Sequence, residues 1–147
     1  MILYLDTSAV VKTILVEDST DQVRTWIDQA DHVVSSVITY AEACAALGRA
    51  QRSRGAAVPA LDRLVADLDA QWDEYVVLPV DPLRAGRTAL EHGLRGMDAV
   101  QLAAALTLRT AAASRAPRVE IVFAAFDRRL REAAEREGFA TLGGPPG

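Results

Sequence analysis

The stretch MILYLDTSAVVK, residues 1–12, decides how the rest of the chain is read. ILYLD (2–6) is an apolar run suited to a buried strand, yet it ends on the carboxylate of Asp6, followed by the hydroxyls of Thr7 and Ser8. Such an Asp has two readings. It can accept a hydrogen bond from the free amides of a first helical turn, or it can stand beyond the carboxyl end of a strand, where open α/β sheets place their ligand-binding groups. This stretch alone leaves both open.

Outward from it, short apolar runs alternate with longer helical stretches, the pattern of βαβ units around a mostly parallel sheet. Further strands are expected at HVVSS (32–36), YVVLPV (75–80), VEIVFA (119–124) and FATLG (139–143). Helices are expected at about 8–16, 20–30, 38–54, 58–73, 82–93, 97–113 and 127–137. No repeat, heptad or linker divides the chain, so residues 1–142 are expected to form one domain, with GGPPG (143–147) as a flexible tail.

At 147 residues, half of them hydrophobic, the chain can bury a sizeable core unaided. The lone Cys44 has no internal disulfide partner and stands among alanines, which suits a small buried hydrophobe in a reducing compartment. Cytoplasm is the expected location. The first apolar run carries no positive flank and is far shorter than a membrane span, so no membrane association is expected. A net charge of −4 gives no global attraction for nucleic acid. Of the 16 basic residues, however, only Lys12 is not Arg, and the guanidinium fork suits phosphate. Arg49, Arg52 and Arg54 cluster, as do Arg128, Arg129 and Arg131; each cluster also reads as a solvated helix face.

The chemistry rests on four acids. Asp6 ends the first strand, Asp127 in FAAFDRRL follows the fourth, Asp98 in GLRGMDAVQLAAAL opens an apolar helix, and Glu42 lies early in the helix leaving the second strand. Singly, the three aspartates fit helix caps or first turns, and Glu42 fits an exposed helix position. Together they belong to strand ends and helix beginnings that share one rim of a parallel sheet. Carboxylates gathered there repel one another, and a divalent cation removes that penalty. An oxygen-only donor set favours Mg²⁺, with Mn²⁺ as a substitute, over zinc. His32, at the start of the second strand, and His92, near a helix end, are not placed to work with Asp6, which disfavours histidine-based ribonuclease and Ser-His-Asp chemistry. Dinucleotide and P-loop glycine motifs are absent. A haloacid-dehalogenase-like phosphatase would need a second acid where Ser8 stands, and a phospho-receiver domain would need a lysine other than Lys12.

YLDTSAVVK, SSVITYAEACAALGRA, LRGMDAVQLAAAL and FAAFDRRLREAAEREGF together resemble, in order and approximate spacing, the PIN-domain family, and specifically its VapC-type toxins. The resemblance spans nearly the whole chain. It implies a three-layer α/β/α sandwich with strand order 3-2-1-4-5 and a Mg²⁺-dependent endoribonuclease. By position, Asp6 and Asp98 match the family's principal metal-binding acids, Glu42 and Asp127 complete the catalytic quartet, and Ser8 and Thr39 match hydroxyl positions beside it. The family usually carries Ser or Thr two residues before its last acid; this chain has Ala125 there, which bears on how Asp127 is oriented. The implied partners are an RNA substrate, a VapB-type antitoxin and a second copy of the chain in a homodimer. A catalytically silent PIN-like module that binds RNA or protein is the alternative from another functional class.

Overall fold

The computed structural model describes residues 1–116 and 118–144. Five strands form one sheet: β1 (Ile2–Leu5), β2 (His32–Ser36), β3 (Val76–Leu78), β4 (Ile121–Ala124) and β5 (Ala140–Leu142). All neighbours pair in parallel, in the order β3-β2-β1-β4-β5, as the resemblance implies. Seven helices connect and cover them: α1 (Thr7–Ile14), α2 (Thr20–Gln29), α3 (Ile38–Arg54), α4 (Leu61–Trp72), α5 (Pro82–His92), α6 (Gly96–Arg115) and α7 (Arg128–Arg136).

The central strand shows why the sheet is a middle layer. Side chains alternate along a strand, and both faces of β1 are apolar. Leu3 and Leu5 pack with Val10, Val23, Leu47, Leu64 and Leu68 from α1 to α4. Tyr4 points to the other side, with Leu102, Phe123, Leu130 and Phe139 around it. Tyr4 and Phe123 stack with ring centroids 5.1 Å apart. Truncating a core leucine such as Leu3 or Leu102 costs about 2–5 kcal/mol.

Boundaries differ from the sequence expectation where local chemistry intervenes. The third strand, expected to run to residue 80, ends at Leu78 because Pro79 has no N–H to donate to the ladder. The stretch 58–73 becomes helical only from Leu61; Gly55, at φ 52°, closes α3 and opens a 3₁₀ turn over Gly55–Ala57. α6 is longer than expected, reaching Arg115. Cys44 is half-buried against the core rather than enclosed by it. Of the expected tail, 145–147 lie outside the described residues. Gly143 is described, and at φ 126° it passes so close to the Ala125 carbonyl that a Cβ would lie 1.9 Å from that oxygen. Among the described residues no helix is long and apolar enough to cross a membrane.

Because every strand runs the same way, the residues that follow β1, β2 and β4 emerge on one rim. His32, at the amino end of β2, lies on the opposite rim beside Ile2 and Asp31.

Candidate active site

Asp6 serves both of the roles its sequence position allows. It is the N-cap of α1, with Oδ1 accepting from the Ala9 amide at 2.9 Å. The Ser8 hydroxyl lies 2.7 and 2.9 Å from its two oxygens. The side chain is also the floor of a cleft of about 370 Å³, whose wall includes Asp98 and Asp127. Asp98 stands in the first turn of α6, and Asp127 caps α7 through a 2.8 Å bond from the Leu130 amide. Glu42 is not in the cleft wall itself. It stands behind Thr7, whose hydroxyl donates to Glu42 Oε1 at 2.7 Å.

The electrostatics show what this gathering costs. Burial pushes the Asp6 carboxyl up to about 7; hydrogen bonds from Ser8 and Ala9 pull it down, and Asp98 and Glu42 push it further up. Asp98 is raised too, by partial burial, then by Asp127 and Glu42, with Arg95 and Arg129 opposing. Ion pairs among the described residues fall elsewhere and include none of the four acids. The Asp6 carboxylate is only 4% exposed and has no ion-pair partner among the described residues, so its charge is costly to keep.

The donor set on this rim is all oxygen, which suits a hard divalent ion. Among the described residues, only Glu91, His92 and Glu137 bring three ligand-type atoms within 4.8 Å of one another. No three of the rim acids bring ligand atoms that close together.

The PIN domain family profile matches residues 3–136. The chain belongs to the PIN-domain family, in its VapC-type branch. It is similar to ribonuclease VapC45 of Mycobacterium tuberculosis, 32% identical with 93% of this chain and 92% of that protein covered. Ribonuclease VapC35 of the same species is 34% identical, with 95% of each covered. Among solved structures, PAE2754 from Pyrobaculum aerophilum superposes with a TM-score of 0.63 at 21% identity, covering 95% of this chain and 82% of that one. VapBC2 from Rickettsia felis, bound to a promoter DNA fragment, gives 0.64 at 12% identity over 97% and 98% of the two chains.

In this PIN domain the hydroxyl residues divide their work differently from the sequence expectation. Ser8 is beside the cleft, and its oxygen also accepts from the Phe126 amide at 2.8 Å, tying α1 to the loop before Asp127. Ala125 is fully buried, its amide donating to the Leu142 carbonyl at 2.9 Å. Asp127 is thus held by its own helix cap, and its loop by Ser8, with no hydroxyl needed at 125. Thr39 lies wholly inside, bonded to Ser35 and Gln101 rather than lining the cleft.

Sequence reasoning did not single out Thr7 or Gln101. Gln101 had a readable signal: it is the sole polar side chain in AVQLAAAL, where a helix face turned to the core should be apolar throughout. Thr7 had none beyond its place in the DTS triplet. The Arg clusters separate in the structure. Arg49 lines the cleft and Arg54 pairs with Glu17 at 2.6 Å, while Arg128 bonds Glu132 and Arg129 and Arg131 hold backbone carbonyls. His92 bonds Glu137, away from Asp6.

Proposed function

We propose that the protein is a Mg²⁺-dependent endoribonuclease, the toxin of a VapBC-type toxin–antitoxin pair. The observation that carries this reading is the acidic rim: Asp6, Asp98 and Asp127 in one cleft, with Glu42 adjoining and, among the described residues, no Lys or Arg in an ion pair with any of them. Asp6 and Asp98 would hold the ion. When bound, Mg²⁺ supplies a Lewis acid that draws phosphodiester oxygens into an acidic cleft and lowers the pKa of water.

The chain's own residues supply orientation. Ser8 and the Ala9 amide hold the Asp6 carboxylate in one rotamer, and Thr7 holds Glu42. Lys12 is committed to Glu17 and to the face of Phe126, so Arg49 is the cleft cation left for a flanking phosphate. Since no histidine lines the cleft, attack is by water rather than by the 2′-hydroxyl of the RNA, leaving 5′-phosphate and 3′-hydroxyl ends.

A VapB-type antitoxin as partner is supported by likeness to VapBC2, and to FitAcB from Neisseria gonorrhoeae at a TM-score of 0.54, 20% identity and 97% of each chain covered. A homodimer is supported by α5, where Leu83 and Leu90, two turns apart on one face, are 74% and 88% exposed.

The test is incubation of purified protein with total RNA, with Mg²⁺ and with EDTA, followed by end-group analysis. Discrete fragments only with Mg²⁺, bearing 5′-phosphates, support the reading. Cyclic 2′,3′-phosphates overturn the water mechanism, and no cleavage under either condition favours a silent RNA- or protein-binding module.

A further inference from the structure

We propose that Gln101 is a positioning residue of the acidic centre, holding Glu42 by Oε1 so that its charge adjoins the cleft lined by Asp6, Asp98 and Asp127. The inference rests on the metal-dependent reading above. Gln101 is 2% exposed and follows Asp98 by one turn of α6. Its amide bridges four elements. The Tyr4 hydroxyl donates to Oε1 at 2.7 Å. On the other side, Nε2 lies 2.9 Å from the Thr39 hydroxyl, 3.1 Å from the Thr7 hydroxyl and 3.2 Å from Glu42 Oε1.

Proton counting sets the direction of this network. The Ser35 hydroxyl has one proton, and the Leu5 carbonyl, 2.7 Å away, can only accept it. Thr39, 2.9 Å from Ser35, must therefore donate to Ser35, and its own oxygen accepts from Gln101. A chain of donors runs from Gln101 through Thr39 and Ser35 to the end of β1. The second N–H of Gln101 is left for the Thr7–Glu42 pair, where Thr7 already donates to Oε1. Neither donor reaches Oε2. An ionised Glu42 accepts and cannot donate, so the amide must present its NH₂ to the acid and its carbonyl to Tyr4. Both amide atoms are thus fixed by buried partners, and the amide in turn fixes one oxygen of Glu42. Partners behind metal-binding groups commonly contribute 10–100-fold in metal affinity or activity.

Gln101→Met keeps length and volume and removes the donors. The expected result is a 10–100-fold rise in the Mg²⁺ concentration needed for half-maximal thermal stabilisation, with a matching loss of Mn²⁺ affinity by calorimetry. In a Glu42→Gln background the same substitution should cause little further shift, because the residue acts through Glu42. Should Gln101→Met not fold, Tyr4→Phe keeps the ring on Phe123 and removes only the donor to the amide; it should shift the Mg²⁺ midpoint several-fold in the same direction, again not beside Glu42→Gln. A wild-type metal response that either substitution leaves unchanged, or an equal loss with and without Glu42→Gln, overturns this inference alone. A wild type with no response to Mg²⁺ or Mn²⁺ overturns the metal-dependent reading and this inference with it.

Discussion

Two groups of acids in this molecule are handled in opposite ways. Between α5, α6 and α7, Glu137 accepts from His92 at 2.8 Å and is bridged by Arg109, whose guanidinium also bonds its backbone carbonyl. Glu137 is thus neutralised by Arg109 from within the chain. On the carboxyl-end rim of the sheet, Asp6, Glu42 and Asp127 accept from hydroxyl or amide donors, and neither they nor Asp98 has an ion pair among the described residues. The difference teaches that close spacing of ligand-type atoms and want of ion pairs are separate properties: in the tighter cluster, Glu91–His92–Glu137, Glu137 is bonded to His92 and paired with Arg109, whereas the looser rim has no ion pair among the described residues.

The comparison breaks most sharply if rim acids are neutralised. Asp6→Asn and Asp98→Asn keep shape, and the former keeps the α1 cap, while each removes a charge from a repelling set. RNA cleavage should fall at least about 1,000-fold, by roughly 4 kcal/mol of transition-state stabilisation. Without metal at pH 8 each variant should melt no lower than wild type, and Asp6→Asn should be more stable by about 1 kcal/mol or more. The stabilisation that Mg²⁺ gives wild type should shrink in both. Intact cleavage would reduce Asp6 to a helix cap.

The second effect is its pH dependence. Asp6 titrates near 7 in the folded protein and at 3.8 when unperturbed, so between these values the folded state holds the proton more tightly. Metal-free stability from this group is therefore full below pH 4 and lost as pH rises to 7, by about 1–4 kcal/mol. Melts in EDTA should show wild type falling relative to Asp6→Asn across that window and running parallel above it. A difference that grows as pH falls would contradict the burial of Asp6 as an uncompensated charge.

At the neutralised site the sign reverses. Glu137→Gln should lower stability by about 1 kcal/mol and leave cleavage unchanged, measured by denaturant melts and the same RNA assay. A stabilising Glu137→Gln would erase the distinction between the regions. The smallest effect belongs to Arg49: Arg49→Gln should raise KM for RNA several-fold, reduce the slope of binding against log salt by about one, and leave the metal-free melt within about 0.5 kcal/mol.

The layout of the fold was legible because its signals are local. ILYL and IVFA are apolar runs buried at the middle of a sheet, HVVSS is buried from Val34 to Ser36, and the helical stretches between them carry the periodicity of covered faces. Strand and helix ends were less legible, since Pro79 and Gly55 act through backbone chemistry rather than hydropathy. The acids were legible as members of strand ends and helix starts, although each alone fitted a cap, and the structure gives Asp6 and Asp127 that role as well.

By itself the sequence determined the alternation of strands and helices, the parallel sheet, and the arrival of Asp6, Asp98 and Asp127 at one rim, because each follows from short-range pattern and from all strands pointing the same way. Only the tertiary structure decided which acids go without cations, that Ser8 reaches the Phe126 amide 118 residues away, and that Gln101 joins Tyr4, Thr7, Thr39 and Glu42. Those are contacts between side chains far apart in the chain. They depend on distances of a few tenths of an ångström and on the direction of single protons, and no periodicity along a sequence encodes either.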